Sequence, residues 1–86
     1  MKKIWQEEAW EDYLYWQSQD KKTLKKINSL IQDIERHPLE GIGKPELLKH
    51  DLSDYWSRRI DETNRIVYKV DNDVIEISQC RTHYKK

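Results

Sequence analysis

The chain has 86 residues, which is enough for one domain, residues 1–86, with a single modest core. Hydrophobic residues make up 36% of it and Phe is absent, so core volume must come from Leu, Ile, Val and the four Trp. Charged residues make up 37%, yet 16 basic and 16 acidic side chains cancel. This balance argues against tight non-specific adhesion to nucleic acid. Any RNA contact must come from a local cluster of the protein's residues, which favours a partner that presents the RNA.

Cysteine content and the N-terminus indicate the compartment. The single Cys80 excludes an intramolecular disulfide and is typical of a protein in a reducing cytosol. The first ten residues, MKKIWQEEAW, are too charged to contain the apolar region of a secretory signal. No apolar run approaches the roughly 20 residues that a membrane-spanning helix needs. We therefore expect a soluble, cytoplasmic protein.

The first half of the chain predicts a short strand and two helices. Lys2 to Trp5 is predicted to be a strand with Ile4 facing inward. Apolar residues then recur at helical spacing, and Asp20 has the position of an N-cap for the second helix. His37-Pro38 is predicted to end that helix. The apolar positions of the two helices are Ala9, Trp10, Tyr13, Leu14 and Trp16, then Leu24, Ile27, Ile31 and Ile34.

The second half predicts an irregular segment followed by three strands. Residues 38–54 contain both prolines and both glycines, which is typical of a loop, and loops on a rigid scaffold often carry chemistry. Strands are predicted at 55–60, 65–70 and 74–81, with a short hairpin turn at 71–73. Two helices followed by an antiparallel sheet make an α+β domain.

Strand register places the arginines of the sheet. If Ile60 and Ile66 both face the helices and oppose each other, Arg59 opposes Val67. Arg59 and Arg65 then share the face that is turned away from the helices. Arg58 falls on the core side, where its stem packs and its charged head escapes to the edge.

A carboxylate, a guanidinium and an imidazole occur in the segments KPELLKH, RIVYKV and CRTHYKK, as Glu46, Arg65 and His83. RNA cleavage without a metal needs a base for the 2′-hydroxyl, a cation for the phosphate and an acid for the 5′-oxygen. Arg59 and Arg65 are interpreted as a phosphate clamp, because guanidinium matches phosphate oxygens in a fork. A solvated strand face paired with Glu62 or with Asp61 is an equally weighted alternative.

The remaining candidates each have a plain alternative. Lys49 is a candidate cation for the phosphate and His50 a second acid or base. Glu46 also fits an exposed loop residue, and His50 also fits a loop histidine that is only hydrogen-bonded next to Asp51. His83 is a candidate acid and Tyr84 a candidate for base stacking, against a frayed tail with no role. Cys80 and His83 have the spacing of two metal ligands, but no second pair exists, so no metal site is expected.

Distinctive segments run along nearly the whole chain: EEAWEDYLYW, DKKTLKKINSLIQDI, EGIGKPELLKHDLSDYWSRRI, RIVYKV and CRTHY. In this order they resemble the Txe/YoeB-type toxins of the RelE superfamily, which come from bacterial toxin–antitoxin modules. The combination of GKPE, LKH, WSRRI and a terminal HY is highly specific for this family. Lys85 and Lys86 extend beyond the usual HY ending.

The resemblance implies a RelE-like α+β fold, in which a short N-terminal strand and two helices pack on a twisted antiparallel sheet. It implies a ribosome-dependent endoribonuclease that cleaves mRNA in the A site with no metal or organic cofactor. It also implies a cognate antitoxin, the 70S ribosome and mRNA as partners, a homodimer, and operator DNA contacts made only through the antitoxin. The matching catalytic positions are Glu46, Arg65, His83, Lys49, Arg59 and Tyr84.

A different class of function competes with the nuclease. An α+β domain with no catalytic activity could bind RNA or a partner protein through the Arg59/Arg65 face and modulate operator repression by the antitoxin. Binding without cleavage distinguishes this interpretation from an enzyme.

Overall fold

The computed structural model describes residues 1–82. It contains two helices, α1 Glu7–Gln19 and α2 Lys21–Arg36, and a short 3₁₀ helix at His50–Leu52. Its strands are β1 Lys2–Trp5, β2 Glu46–Leu47, β3 Trp56–Arg59, β4 Arg65–Asp71 and β5 Val74–Gln79.

The five strands form one sheet in the order β1-β5-β4-β3-β2. β2 to β5 pair antiparallel, whereas β1 runs parallel to β5 at one edge. The predicted α+β fold is confirmed, but the sheet is mixed and not wholly antiparallel. No tight turn dictates the direction of β1 relative to β5, because both helices and three strands separate them in the chain. β2 lies in the segment that was predicted to be a loop.

Both helices pack on one face of the sheet and close the core. Ala9 and Trp16 of α1 and Ile27 and Ile34 of α2 are buried there, as their spacing predicted. The Asp20 side chain accepts hydrogen bonds from the backbone N–H groups of the first turn of α2, which confirms the N-cap. Within residues 1–82, neither helix is long and apolar enough to cross a membrane.

The face of β1 that packs on the core is the opposite of the predicted one. Ile4 pairs with Glu76 and its side chain is 51% exposed, whereas Trp5 pairs with Ile77 and packs against the core. Side chains alternate along a strand, so only one of Ile4 and Trp5 can face the helices. The larger aromatic surface of Trp5 occupies the core side.

The register between β3 and β4 differs from the prediction by two residues. Arg58, and not Ile60, opposes Ile66, and Arg59 opposes Arg65 directly and not Val67. β3 ends at Arg59, and the turn that follows is closed by the Ile60 N–H, which donates to the Asn64 carbonyl oxygen. A shift of two residues preserves the faces, so the predicted common face of Arg59 and Arg65 is confirmed.

The charged head of Arg58 does not escape to the edge of the sheet. Arg58 is completely buried, and its guanidinium forms an ion pair with Asp33 and donates to the carbonyl oxygens of His37 and Glu40. Its Nε donates to the Tyr68 hydroxyl over 3.0 Å. A buried guanidinium is tolerable here because these partners satisfy its donors, and the sequence pattern did not reveal them.

Candidate active site

The face of the sheet away from the helices carries the candidate side chains. Glu46 of β2 pairs with Ser57, Ser57 with Val67, and Val67 with Gln79, so this row crosses four strands on one face. The last three residues of the row are almost fully buried, whereas Glu46 at the edge is exposed. The row therefore ends in an accessible carboxylate.

Arg59 and Arg65 form the next row of the same face. Directly opposed residues have Cβ atoms about 5 Å apart, and two like charges at that distance destabilise a sheet. The strand spacing places the Cα atoms of Glu46 and Arg59 about 8 Å apart. One carboxylate and two guanidinium groups are therefore within reach of a single bound phosphodiester.

The turn at residues 61–64 holds the Arg65 guanidinium. Its Nη1 donates to the carbonyl oxygens of Asp61, Asn64 and Glu62 at 2.8, 3.1 and 3.3 Å. Within residues 1–82, Nη1 donates all the hydrogen bonds of this side chain, so the N–H groups of Nε and Nη2 remain available to an anion. Arg65 is 9% exposed, whereas Arg59 is open to solvent. The turn thus fixes one guanidinium and leaves the other free to adjust.

The Asp61 carboxylate organises that turn. Burial acts to raise the pKa of Asp61, but hydrogen bonds from Asn64 and Thr63 and the positive charge of Arg65 together lower it. The predicted alternative, a solvated strand face paired with Glu62 or with Asp61, is wrong for Arg65, which is 9% exposed and forms no ion pair within residues 1–82. The Arg65 head contacts their backbone carbonyls, and the Asp61 charge acts on it without a direct contact.

Glu46, Lys49 and His50 lie around one cavity. The cavity has a volume of about 300 Å³ and is lined by the continuous segment from Glu46 to Leu52. Three non-glycine residues in and beside this segment, Lys44, His50 and Asp54, have positive φ angles of 53°, 61° and 78°. Such conformations cost energy and are over-represented at functional sites. The backbone thus holds Glu46 and Lys49 in a defined, strained segment.

The predicted residues His83 and Tyr84 lie outside the described residues. Their neighbour Cys80 is completely buried, and its Sγ lies 3.6 Å from the Ala9 carbonyl oxygen. Burial, reinforced by the Asp12 carboxylate, raises the pKa of the Cys80 thiol. A neutral thiol in the core packs as an apolar group and is a poor metal ligand.

The family model of YoeB-like toxins of bacterial type II toxin–antitoxin systems matches residues 5–84. The chain belongs to the YoeB-like toxins. Toxin YoeB of Escherichia coli K12 is 61% identical over 84 residues, which are 98% of this chain and 100% of the relative. The predicted resemblance is confirmed over nearly the whole chain, and the protein is a toxin of a type II toxin–antitoxin system.

Solved structures of YoeB-like toxins share the fold. A YoeB/ParE toxin from Agrobacterium tumefaciens has a TM-score of 0.95 and 46% identity, covering 98% of this chain and 100% of its own. A heterotetrameric YoeB–YefM toxin–antitoxin complex and a YoeB dimer, both from Staphylococcus aureus, match with TM-scores of 0.91 and 0.92. Each is 49% identical, with 98% of both chains covered.

Sequence reasoning missed two residues that bind the segment after β5, Asn64 beside the candidate site and Asp12 on the helix side of the sheet. Asn64 accepts a hydrogen bond from the Thr82 N–H, and Asp12 accepts one from the Cys80 N–H. The DETN segment at 61–64 signalled the turn that contains Asn64, since Asp and Asn favour turns that bond their own backbone, but not the bond to Thr82. No local signal existed for the second, because Asp12 lies on a helix far away in the chain.

Proposed function

We propose that this YoeB-like toxin is a ribosome-dependent mRNA endoribonuclease that cleaves mRNA in the A site and thereby inhibits translation. The main support is the common sheet face that Glu46, Arg59 and Arg65 occupy. A base and fixed cations around one phosphodiester are two of the three parts that cleavage by the 2′-hydroxyl requires, the third being an acid for the 5′-oxygen. Membership of the YoeB-like toxins supports the same activity.

In the proposed reaction the RNA provides its own nucleophile. Glu46 takes the proton of the 2′-hydroxyl, whose oxygen attacks the adjacent phosphorus and displaces the 5′-oxygen of the next nucleotide. Arg65, Arg59 and Lys49 stabilise the negative charge that builds up on the phosphate, a task that needs no metal when fixed cations are present. The products are a 2′,3′-cyclic phosphate and a free 5′-hydroxyl.

The C-terminal residues complete this proposal. His83 protonates the departing 5′-oxygen, since an imidazole with a pKa near 6.5 is a suitable acid at neutral pH. Tyr84 stacks on a base or donates a hydrogen bond to the phosphate. The roles of both follow from the family motif.

Zero net charge supports dependence on the ribosome. With 16 basic and 16 acidic residues, the protein has little general attraction for RNA. Contacts with the 70S ribosome would hold toxin and mRNA together, and such proximity contributes a large part of the rate of a positioned reaction. The proposed substrate is therefore mRNA that the ribosome presents.

We also propose an antitoxin and a second toxin chain as protein partners. The Staphylococcus aureus relatives form a YoeB–YefM complex and a YoeB dimer, at 49% identity to this chain. Contacts with operator DNA are proposed to be made by the antitoxin alone, because the toxin has no excess of positive charge.

Substitution of the base and of the fixed cation tests the nuclease. On purified ribosomes programmed with mRNA, Glu46→Ala is expected to lower the cleavage rate about 10²–10⁴-fold. Arg65→Ala is expected to lower it about 10²–10³-fold, because phosphate charge in the transition state loses its fixed partner. Neither variant should arrest growth when expressed without an antitoxin.

Matched controls are Glu11→Ala on α1 and Arg36→Ala at the end of α2, two exposed positions away from the site. Both should cleave like the unsubstituted protein, and thermal unfolding should show that all four variants fold. Full cleavage by Glu46→Ala or Arg65→Ala would remove that residue from the mechanism. Binding to ribosomes without any cleavage by the unsubstituted protein would instead support the non-catalytic RNA-binding domain.

A further inference from the structure

The chain segment that precedes His83 is tied to α1. The Cys80 N–H donates to the Asp12 carboxylate over 3.1 Å, and the Trp16 indole donates to the Cys80 carbonyl oxygen over 2.8 Å. The Arg81 guanidinium lies 3.6 Å from the centre of the Tyr15 ring, at cation–π distance. The end of β5 is therefore held from the helix side.

Thr82 is held from the opposite side, by the turn that also holds Arg65. Its N–H donates to the Asn64 side-chain oxygen over 2.6 Å, and its carbonyl accepts the Arg65 backbone N–H over 2.9 Å. Thr82 has a φ angle of 63°, which an L-residue with a branched side chain rarely adopts. Two hydrogen bonds thus maintain a strained backbone at the residue before His83.

The orientation of the Asn64 amide is not free. Its Nδ2 donates to both carboxylate oxygens of Asp61, at 3.2 and 3.0 Å, and its backbone N–H donates to one of them at 2.6 Å. With the amide nitrogen committed to a carboxylate, the amide oxygen must face Thr82. Asp61 therefore orients Asn64, and Asn64 in turn holds Thr82.

We propose that Asn64 is a positioning residue for the cleavage reaction: it fixes the chain at Thr82, beside Arg65, and so sets where the segment carrying His83 starts. This inference rests on the proposed nuclease function. The same four-residue turn binds the Arg65 guanidinium through its carbonyl oxygens and the C-terminal segment through the Asn64 side chain. One turn thereby binds both the phosphate-binding guanidinium and the residue that precedes the proposed acid in the chain.

A purely structural bond would affect stability alone, so the test separates stability from catalysis. The variant is Asn64→Leu, which keeps the branched shape of the side chain and removes both its hydrogen-bonding atoms. Thr63→Ala is the matched control, since Thr63 lies in the same turn, is exposed and bonds to Asp61 through its backbone N–H. Should Asn64→Leu not fold, Asn64→Ser is used in its place.

Cleavage of ribosome-bound mRNA is measured across pH for the unsubstituted protein, both turn variants, His83→Gln and the double variant Asn64→Leu/His83→Gln. Asn64→Leu is expected to lower kcat about 10- to 100-fold with little change in KM, because misplacement of a catalytic group affects the chemical step. The rate loss at high pH that depends on His83 should weaken. The double variant should be no slower than His83→Gln alone, because Asn64 acts through that residue.

A second measurement is independent of activity. Hydrogen exchange at the Thr82 amide should be faster in Asn64→Leu than in Thr63→Ala, since its acceptor is gone. Equal exchange at Thr82 in the two variants overturns the inference. So does an Asn64→Leu variant whose kcat and pH profile are unchanged. A double variant whose loss of rate is the product of the two single losses overturns it as well. In each of these cases the unsubstituted protein still cleaves and the nuclease proposal stands. Absence of cleavage by the unsubstituted protein overturns the proposed function and the positioning role with it.

Discussion

Arg58 and Arg59 are consecutive and chemically identical, yet the sheet turns them to opposite faces. Arg58 opposes Ile66 on the core side and is completely buried, whereas Arg59 opposes Arg65 on the open face and is exposed. The hydrogen bond from Arg58 lowers the pKa of Asp33, and burial raises the pKa of Tyr68, the other side-chain partner of Arg58. Period-two alternation predicted the two faces but not these partners, which come from α2, β4 and the loop after α2.

Stability measurements should separate the two arginines. Arg58→Met is expected to lower the free energy of unfolding by about 3–5 kcal/mol, because it removes a completely buried guanidinium and takes that partner from Asp33 and from the carbonyl oxygens of the loop after α2. Arg59→Met, at an exposed position, should change it by no more than about 0.5 kcal/mol. Urea denaturation of both variants at pH 7 measures the difference. A similar small effect for both would contradict the structural role of Arg58.

Among the secondary-structure elements, α2 was the most predictable and β2 the least. The apolar spacing of α2 and its Asp20 N-cap depend on neighbours within one or two turns, so the pattern was sufficient. β2 has two residues, Glu46 and Leu47, and it exists because β3 lies beside it. Gly41 in the same connection adopts a φ of 120°, and a Cβ there would lie 2.1 Å from an Asp33 carboxylate oxygen. Such close approaches depend on the folded chain.

Acid should weaken the N-terminus of α2. Hydrogen bonds from the Thr23 hydroxyl and backbone N–H lower the pKa of Asp20 from its ordinary value of 3.8. The unfolded chain therefore takes up a proton at Asp20 first as the pH falls. The stabilisation by the charged cap is complete above the unfolded pKa and is lost as the pH falls through the folded one.

Asn caps a helix about as well as Asp but does not titrate. The variant Asp20→Asn should therefore lose less stability than the unsubstituted protein when the pH is lowered from 5 to 2, with similar stability at pH 7. Thermal unfolding midpoints across this range measure the effect. Asp51→Asn, at an exposed position of the 3₁₀ helix, is the control and should follow the unsubstituted protein. Parallel curves for all three proteins would contradict the role of the Asp20 charge.

At the scale of the whole molecule, charge is balanced overall and concentrated locally. Equal numbers of acidic and basic residues give no net charge, whereas on the open face of the sheet Arg59 and Arg65 lie directly opposite each other. The protein should therefore bind RNA through few phosphate contacts, in keeping with the proposed dependence on the ribosome.

The salt dependence of RNA binding measures the number of those contacts. With Lys49, Arg59 and Arg65 as the phosphate contacts, the slope of log K against log salt for a short single strand should be about −2. Arg59→Gln should reduce its magnitude by about 0.7, and the distant Arg36→Gln should leave it unchanged. The inactive Glu46→Ala background prevents cleavage during the titration. A slope steeper than about −4 would indicate a wider cationic surface than these three residues.

The sequence by itself determined the features that depend on near neighbours: both helices, the Asp20 cap, the three C-terminal strands and the common face of Arg59 and Arg65. Residue types in their sequence context suggested the candidate residues, including His83 and Tyr84, and the family motif assigned the same positions. Only the tertiary structure decided which residue of β3 opposes Ile66, which face of β1 packs on the core, and which groups accept hydrogen bonds from the buried Arg58 guanidinium. These outcomes depend on pairs that are distant in the chain, such as Asn64 and Thr82, whose hydrogen bond no local pattern of residues encodes.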